Sequence, residues 1–333
     1  MRKPFGASLV FALLATAFLP EPMTGQQPVT LKERATLKGH TFDVSTLAFS
    51  PDGKLLASTS PGAMDRMIKL WDPATGEEKA SFQIEARNSA SCVAFSPDSK
   101  TLAAGCGDGT VRLWDVRAGK QTSTLKGHTK SVRRVAFSPD GKTLASASSD
   151  GTVKVWDAGT AKELATLKGH TGRNMAFVHD VCFSPDSKTV ASAGEDRTVR
   201  LWSLDTGREL AKLEGHTNFA RAVCFSPDGK TLAAGAGAGK LILWDVQTRQ
   251  QKASLKGHNS YTTSLSFSPD GKFLASGNDD FTAKVWDVQT GKELASLQHK
   301  TAVFTVAFSP DGTTLATAGR DKTIKLWDVT PAK

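Results

Sequence analysis

Apolar positions in this chain gather in short runs, each stopped by a polar turn, and residues 132–167 show the pattern clearly. Val132 to Phe137 reads as a strand, and Ser138-Pro139-Asp140-Gly141-Lys142 follows as a hairpin turn, with proline setting φ early and glycine free to take positive φ. Thr143 to Ser148 is a second strand, Asp150-Gly151 a tight turn, Thr152 to Asp157 a third strand and Glu163 to Leu167 a fourth. Four short antiparallel strands cannot bury both faces alone, so this unit must stack against others.

The others are present. Each of the seven tryptophans, Trp71, Trp114, Trp156, Trp202, Trp244, Trp286 and Trp327, ends the same phrase, at intervals of 43, 42, 46, 42, 42 and 41 residues. A period this long, with one strand-rich unit per copy, marks a stacked or radial repeat whose copies exclude water between their faces.

The repeated phrases include Gly-His at 39–40, 127–128, 169–170, 215–216 and 257–258, a Ser-Pro-Asp turn in every copy, and closing Trp-Asp pairs. In these the chain resembles the WD-repeat β-propellers over about residues 31–333. The resemblance implies an all-β, seven-bladed β-propeller with four antiparallel strands per blade around a central channel. Lys32 to His40 (KERATLKGH) aligns with Lys162 to His170 (KELATLKGH), so the chain begins with an orphan outer strand, while it stops just after an inner one. Residues 33–38 are therefore expected to complete blade seven and remove two open sheet edges.

Residues 29–333 suffice for a single propeller domain without an internal linker. Ahead of it, Arg2 and Lys3 precede fifteen uncharged residues, Phe5 to Leu19, and Ala15-Thr16-Ala17 offers a small-x-small cleavage pattern, with Met23-Thr24-Gly25 a poorer second. Residues 1–28 thus read as an export signal and short linker, the fifteen-residue uncharged run falling short of the roughly 20 residues of a spanning helix. With this leader the chain resembles exported, standalone propellers of bacterial type, expected in the periplasm or secreted, monomeric and without a membrane span. Cys182 and Cys224 share a slot filled elsewhere by Ala48, Ala94, Ala136, Ser266 and Ala307, so they read as buried thiols; Cys92 and Cys106 could face each other in blade two.

One constellation invites a catalytic reading. His128, Ser146, Asp150 and Trp156 recur as His40/Ser58/Asp65/Trp71, His170/Ser192/Asp196/Trp202, His258/Ser276/Asp280/Trp286 and His299/Thr317/Asp321/Trp327. Ser, His and Asp are hydrolase triad residues, yet a triad also needs an exposed nucleophile and an oxyanion hole, and no enzyme needs five copies. The donor inventory supports a structural chain instead, with indole N–H to hydroxyl, hydroxyl to imidazole, and imidazole to carboxylate. The family resemblance implies such a tetrad. Blade two has Ala86 and Ala104 for His and Ser, and blade five has Ala234 and Ala238 for Ser and Asp beside His216, so these two blades are expected to exchange amide hydrogen fastest.

Function must then lie in what differs between copies. Three residues past the aligned His stand Asp43, Ser89, Ser131, Phe177, Phe219, Tyr261 and Ala302; two further on stand Ser45, Ser91, Arg133, His179, Arg221, Thr263 and Phe304. Blade four adds an insertion with Arg173. Phe177, Phe219 and Tyr261 with Arg133, Arg173, His179 and Arg221 form a candidate partner-binding patch on the top rim, where exposed loops on a rigid scaffold carry recognition. The alternative is that the rings fold inward and plug the channel.

The net charge is +9, of which Arg2, Lys3 and Glu21 contribute +1, but many lysines decorate the Ser-Pro-Asp turns beside an aspartate. Charge so distributed makes a poor nucleic-acid footprint, whereas an acidic protein or peptide partner, or an anionic surface polymer, fits an exported basic protein better. Six of the seven histidines occupy the repeated slot, so no metal or cofactor is expected, and His179-Asp180 is the one local pair. The reading is a non-enzymatic interaction scaffold. Its rival is a propeller hydrolase or lyase with a site at the channel mouth.

Overall fold

The computed structural model describes residues 29–62, 65–84, 88–172 and 176–331. The proposed leader, Ala86 and Arg173 lie outside the described residues. Seven four-stranded antiparallel sheets make up the fold. Blade one holds Thr46–Phe49, Leu56–Thr59, Met67–Trp71 and Glu78–Gln83 as strands a to d. Strand a begins blade two at Ala90–Phe95, blade three at Val132–Phe137, blade four at Val178–Phe183, blade five at Ala220–Phe225 and blade six at Thr262–Phe267. The a strands touch their neighbours around a closed ring, blade seven meeting blade one, so they form the wall of the central channel.

Blade seven joins the two ends of the chain. Val303–Phe308, Thr314–Gly319 and Ile324–Pro331 are completed on the outside by Val29–Leu37, in register from Val29 opposite Pro331 to Leu37 opposite Ile324. The closing strand is longer than the expected 33–38, because the partner strand continues past Asp328 and offers pairing as far as Pro331. Ion pairs Lys325–Glu33 at 2.8 Å and Arg34–Asp328 at 2.9 Å flank it.

The core is divided into seven apolar clusters, one at each interface between consecutive blades. Strand b lies between two neighbours and is buried on both faces, which explains its small side chains: Ala57, Ala103, Ala145, Ala191, Ala233, Ala275 and Ala316 are fully buried. Packing at interior density leaves no room there for extra methylenes.

The Ser-Pro-Asp turns close as the sequence suggests, with Ser50 Oγ donating to Asp52 Oδ1 at 2.6 Å, Leu55 N donating to Ser50 Oγ at 2.9 Å and Gly53 at φ +73°. Ser99 and Ser187 replace that glycine at φ +62° and +59°, a conformation that costs a side-chain-bearing residue free energy. Their hydroxyls offset this by accepting the amide of Asp52 and Asp140 from the preceding blade, at 3.2 and 3.1 Å. All four cysteines are free thiols. Cys92 stands opposite Gly105 and Cys106 opposite Ala90, so the two are not cross-strand partners; Cys182 and Cys224 are mostly buried on the channel strands, packed against the core clusters.

Candidate functional site

Four of the five polar sets form continuous hydrogen-bonded chains. In blade three, Trp156 Nε1 donates to Ser146 Oγ at 2.8 Å, Ser146 Oγ meets His128 Nε2 at 2.8 Å, and His128 Nδ1 meets Asp150 at 2.8 Å. Blades one, four and six repeat this, with His40–Asp65 at 3.0 Å, His170–Asp196 at 2.9 Å and His258–Asp280 at 3.0 Å. Their links to Ser58, Ser192 and Ser276 measure 2.7, 2.8 and 2.7 Å, and Trp71, Trp202 and Trp286 each reach the same hydroxyls at 2.8 Å. The serine hydroxyls are fully enclosed, so they cannot act as nucleophiles toward a bound substrate.

Blade seven departs from the expected tetrad. His299 Nε2 meets Thr317 Oγ1 at 3.1 Å and Trp327 donates to it at 2.8 Å, but no hydrogen bond joins His299 to Asp321 among the described residues. Gln298, standing where other copies have glycine, is still in strand, and His299 N bonds Phe281 O at 2.8 Å, which fixes the histidine backbone differently. Asp321 accepts instead from the Thr323 amide and hydroxyl. Burial then pushes His299 down to about 4, with the Lys325 charge acting in the same direction.

Neither Trp114 nor Trp244 has a hydrogen-bond partner for its indole among the described residues, since Ala104 and Ala234 stand at the serine positions. Trp156→Phe is therefore expected to cost about 1–3 kcal/mol more than Trp244→Phe, because only the first orphans buried partners. Urea unfolding of both variants measures the difference; equal losses would mean that the tetrad bonds contribute nothing net.

The variable rim residues owe their direction to a backbone device. In each of blades two to seven the register between strands a and b slips by one residue, at Ser91, Arg133, His179, Arg221, Thr263 and Phe304. A β-bulge re-aims the extra side chain, here toward the channel mouth. The residue that starts each b–c turn donates its amide to the carbonyl of the variable loop residue: Ser149 to Ser131, Glu195 to Phe177, Asp279 to Tyr261, Arg320 to Ala302. Two varying sets are thereby brought side by side.

Stacking organises the mouth. The Arg133 guanidinium lies 4.8 Å from the Phe177 ring of the next blade and donates from Nε to Ser149 Oγ at 2.7 Å. Arg221 lies 4.2 Å from the Tyr261 ring, again of the next blade, and 3.7 Å from Asp279. Arg320 covers Phe304 at 5.6 Å. Phe177 also meets His179 edge-on at 6.3 Å. The rings are neither bare nor a plug. Phe177 and Tyr261 are half-buried beneath guanidinium groups, so the patch shows a cationic face.

Burial, then the charges of Arg133 and Arg221, pushes His179 down to about 3, so it is neutral at pH 7. His179 Nε2, Arg221 Nε and Glu195 Oε2 are buried without a partner among the described residues. Phe219 stands apart from the stacks, lining a cleft beside blade four. The His179-Asp180 pair is split by strand alternation: Asp180 turns away to pair with Arg134 at 3.1 Å. Sequence reading missed Glu195, Asp279 and Arg320; the available signal was variation in the position just before the tetrad aspartate.

Among the described residues no helix is long and apolar enough to cross a membrane. Residues 84–262 match the family described as the WDHD1 first WD40 domain, and residues 31–72, 249–287 and 291–328 match the WD domain, G-beta repeat. Protein tipD of Dictyostelium discoideum is 33% identical over 105 residues, covering 32% of this chain and 16% of that protein. Small ribosomal subunit protein RACK1z of Arabidopsis thaliana is 39% identical over 100 residues, 30% of this chain and 29% of that protein. Periodic tryptophan protein 2 of Arabidopsis thaliana is 37% identical over 87 residues, 26% of this chain and 9% of that protein. The chain thus spans less than a third of the length of each of these relatives. With seven four-stranded blades closed into a ring and family matches running from residue 31 to 328, the chain belongs to the WD40-repeat family of β-propellers.

Proposed function

We propose that this protein is a non-enzymatic interaction scaffold that docks an acidic segment of a protein partner at the top mouth of the channel. The observation that carries this reading is the set of guanidinium groups, Arg133, Arg221 and Arg320, each seated on an aromatic ring. A stacked guanidinium loses little further freedom when it binds, and its planar fork suits carboxylate groups. The carboxylates at the mouth do not form a convergent pair for acid–base chemistry, since Asp279 faces Arg221 and Glu195 alone among the described carboxylates keeps a buried unpaired oxygen. Export remains part of the proposal and rests on residues 1–28.

The test is capture of partners from an extracytoplasmic fraction by the wild type and by Arg133→Ala/Arg221→Ala, followed by affinity measurement on the captured protein. The double variant is expected to lose at least roughly tenfold in affinity, with wild-type binding falling steeply as salt rises. Binding that ignores both the substitutions and salt would remove the mouth from consideration. Recovery of chains in that fraction beginning beyond residue 17 reads out export, and full-length chains confined to the cytoplasm would refute it.

A further inference from the structure

Blade five keeps the tetrad histidine but neither of its polar partners. His216 is 6% exposed, and both ring nitrogens lack a hydrogen-bond partner among the described residues. Ala234 stands where blade three has Ser146, and Ala238 where it has Asp150. With no hydroxyl between them, His216 and Trp244 draw together, ring centroids 5.3 Å apart against 5.9–6.5 Å in the five blades that keep the hydroxyl. Ala238 is exposed, at φ +59°, at the surface turn that elsewhere carries the aspartate, and the His216 ring nitrogens lie buried beneath it.

The surroundings point to an anion. Lys240 replaces the threonine of blade three, and its Nζ donates to the Gly215 carbonyl at 2.7 Å, with no carboxylate partner among the described residues. His216 lines an open cleft of about 940 Å³ with Phe219, Arg197, Asp196, Lys212 and Glu214. Two of its acidic groups are already engaged, Asp196 by His170 and Arg200 and Glu214 by Lys212 at 2.6 Å. A third, Glu195, has one carboxylate oxygen buried without a partner among the described residues. Arg197 and Lys240 have no acidic partner among the described residues, so the uncommitted formal charge around His216, two cations against Glu195, is net cationic. A neutral imidazole there has one N–H to donate, and a buried donor left unpaired costs about 1–3 kcal/mol.

We infer that this cleft receives a carboxylate from another molecule, an Asp or Glu side chain of a bound peptide, which accepts from His216 as Asp150 accepts from His128, with Lys240 as its counter-charge. The incoming group completes a tetrad that the chain leaves unfinished. Because the site is separate from the stacked arginines, Arg133→Ala/Arg221→Ala leaves it intact, and failure at the mouth does not entail failure here.

The probe is sodium acetate, titrated into the full chain at pH 7 against sodium chloride of equal ionic strength, with the ring nitrogens followed by ¹⁵N NMR. His216 is expected to shift saturably with acetate and not with chloride, half-saturating in the millimolar range of a single charge-assisted pair and complete by roughly 0.1 M. Ala238→Asp should reproduce the shifted signal without acetate and abolish the titration. As a second readout, acetate should raise the wild-type melting temperature above chloride, and His216→Phe, which keeps the ring on Trp244, should erase that rise. No saturable shift at His216, an unchanged titration in Ala238→Asp, or an undiminished rise in His216→Phe would each overturn the inference.

Discussion

A chain lacking Leu31 to Lys38 should melt roughly 5–10 °C below the full-length protein, and its unfolding should become prone to aggregation. The deletion removes most of the strand that pairs with the outer edge of Ile324–Pro331, from Leu31 opposite Val329 to Leu37 opposite Ile324, while Thr314–Gly319 still pairs with its inner edge. It also removes Leu37, 5% exposed and packed with Val44, Leu47, Leu326 and Trp71 at the interface of blades seven and one. Each buried leucine contributes about 1.5–3 kcal/mol. The flanking ion pairs Lys325–Glu33 and Arg34–Asp328 are solvent-exposed and add little. What remains is a bare edge on blade seven, a template for pairing with a second copy. Calorimetry on both chains, with light scattering, measures the two effects; superimposable melting curves would mean that closure does not hold the ring.

The fold was legible because every level of the sequence repeats the same instruction, from the Trp spacing to the Ser-Pro-Asp turns. Four tetrads were legible for the same reason. Blade seven was not, because a single change, Gln298 for glycine, alters the backbone ahead of an otherwise complete residue set. At the mouth, alignment found Arg133, His179 and Arg221 but not the bulge that aims them, since a bulge is backbone geometry and takes serine, arginine, histidine, threonine and phenylalanine alike. Glu195, Asp279 and Arg320 were hidden beside the tetrad aspartates, where they read as framework. The stacking of each arginine on the next blade's ring depends on inter-blade geometry that no single repeat contains.

Asp180→Ala should be among the most damaging single substitutions away from the tryptophans, at about 3 kcal/mol, the lower end of the range for removing one partner of a buried ion pair. Asp180 ties three blades together. Its Oδ1 pairs with Arg134 of blade three at 3.1 Å and accepts from Val181 N, while its Oδ2 accepts from Val223 N of blade five at 2.8 Å. The same slot holds Thr305, which accepts the Leu47 amide at 3.1 Å, and Ser264, which accepts the Val306 amide at 3.3 Å, so a polar residue here caps the next blade. Burial pushes the Asp180 carboxyl up from its ordinary range, while Arg134 and the two amides pull it back toward the charged form. Alanine leaves the Val223 amide unpaired and Arg134 without its counter-ion, although the 29% exposure of the arginine side chain lets water recover part of the loss. Asp180→Asn keeps an acceptor for one amide and should cost less. Arg134→Ala/Asp180→Ala should cost less than the sum of the single changes, because the second substitution removes the charge that the first had stranded. Denaturant unfolding of the four variants closes the cycle; additive losses, or an Asp180→Ala chain within about 0.5 kcal/mol of wild type, would show that the three-blade tie carries no net stability.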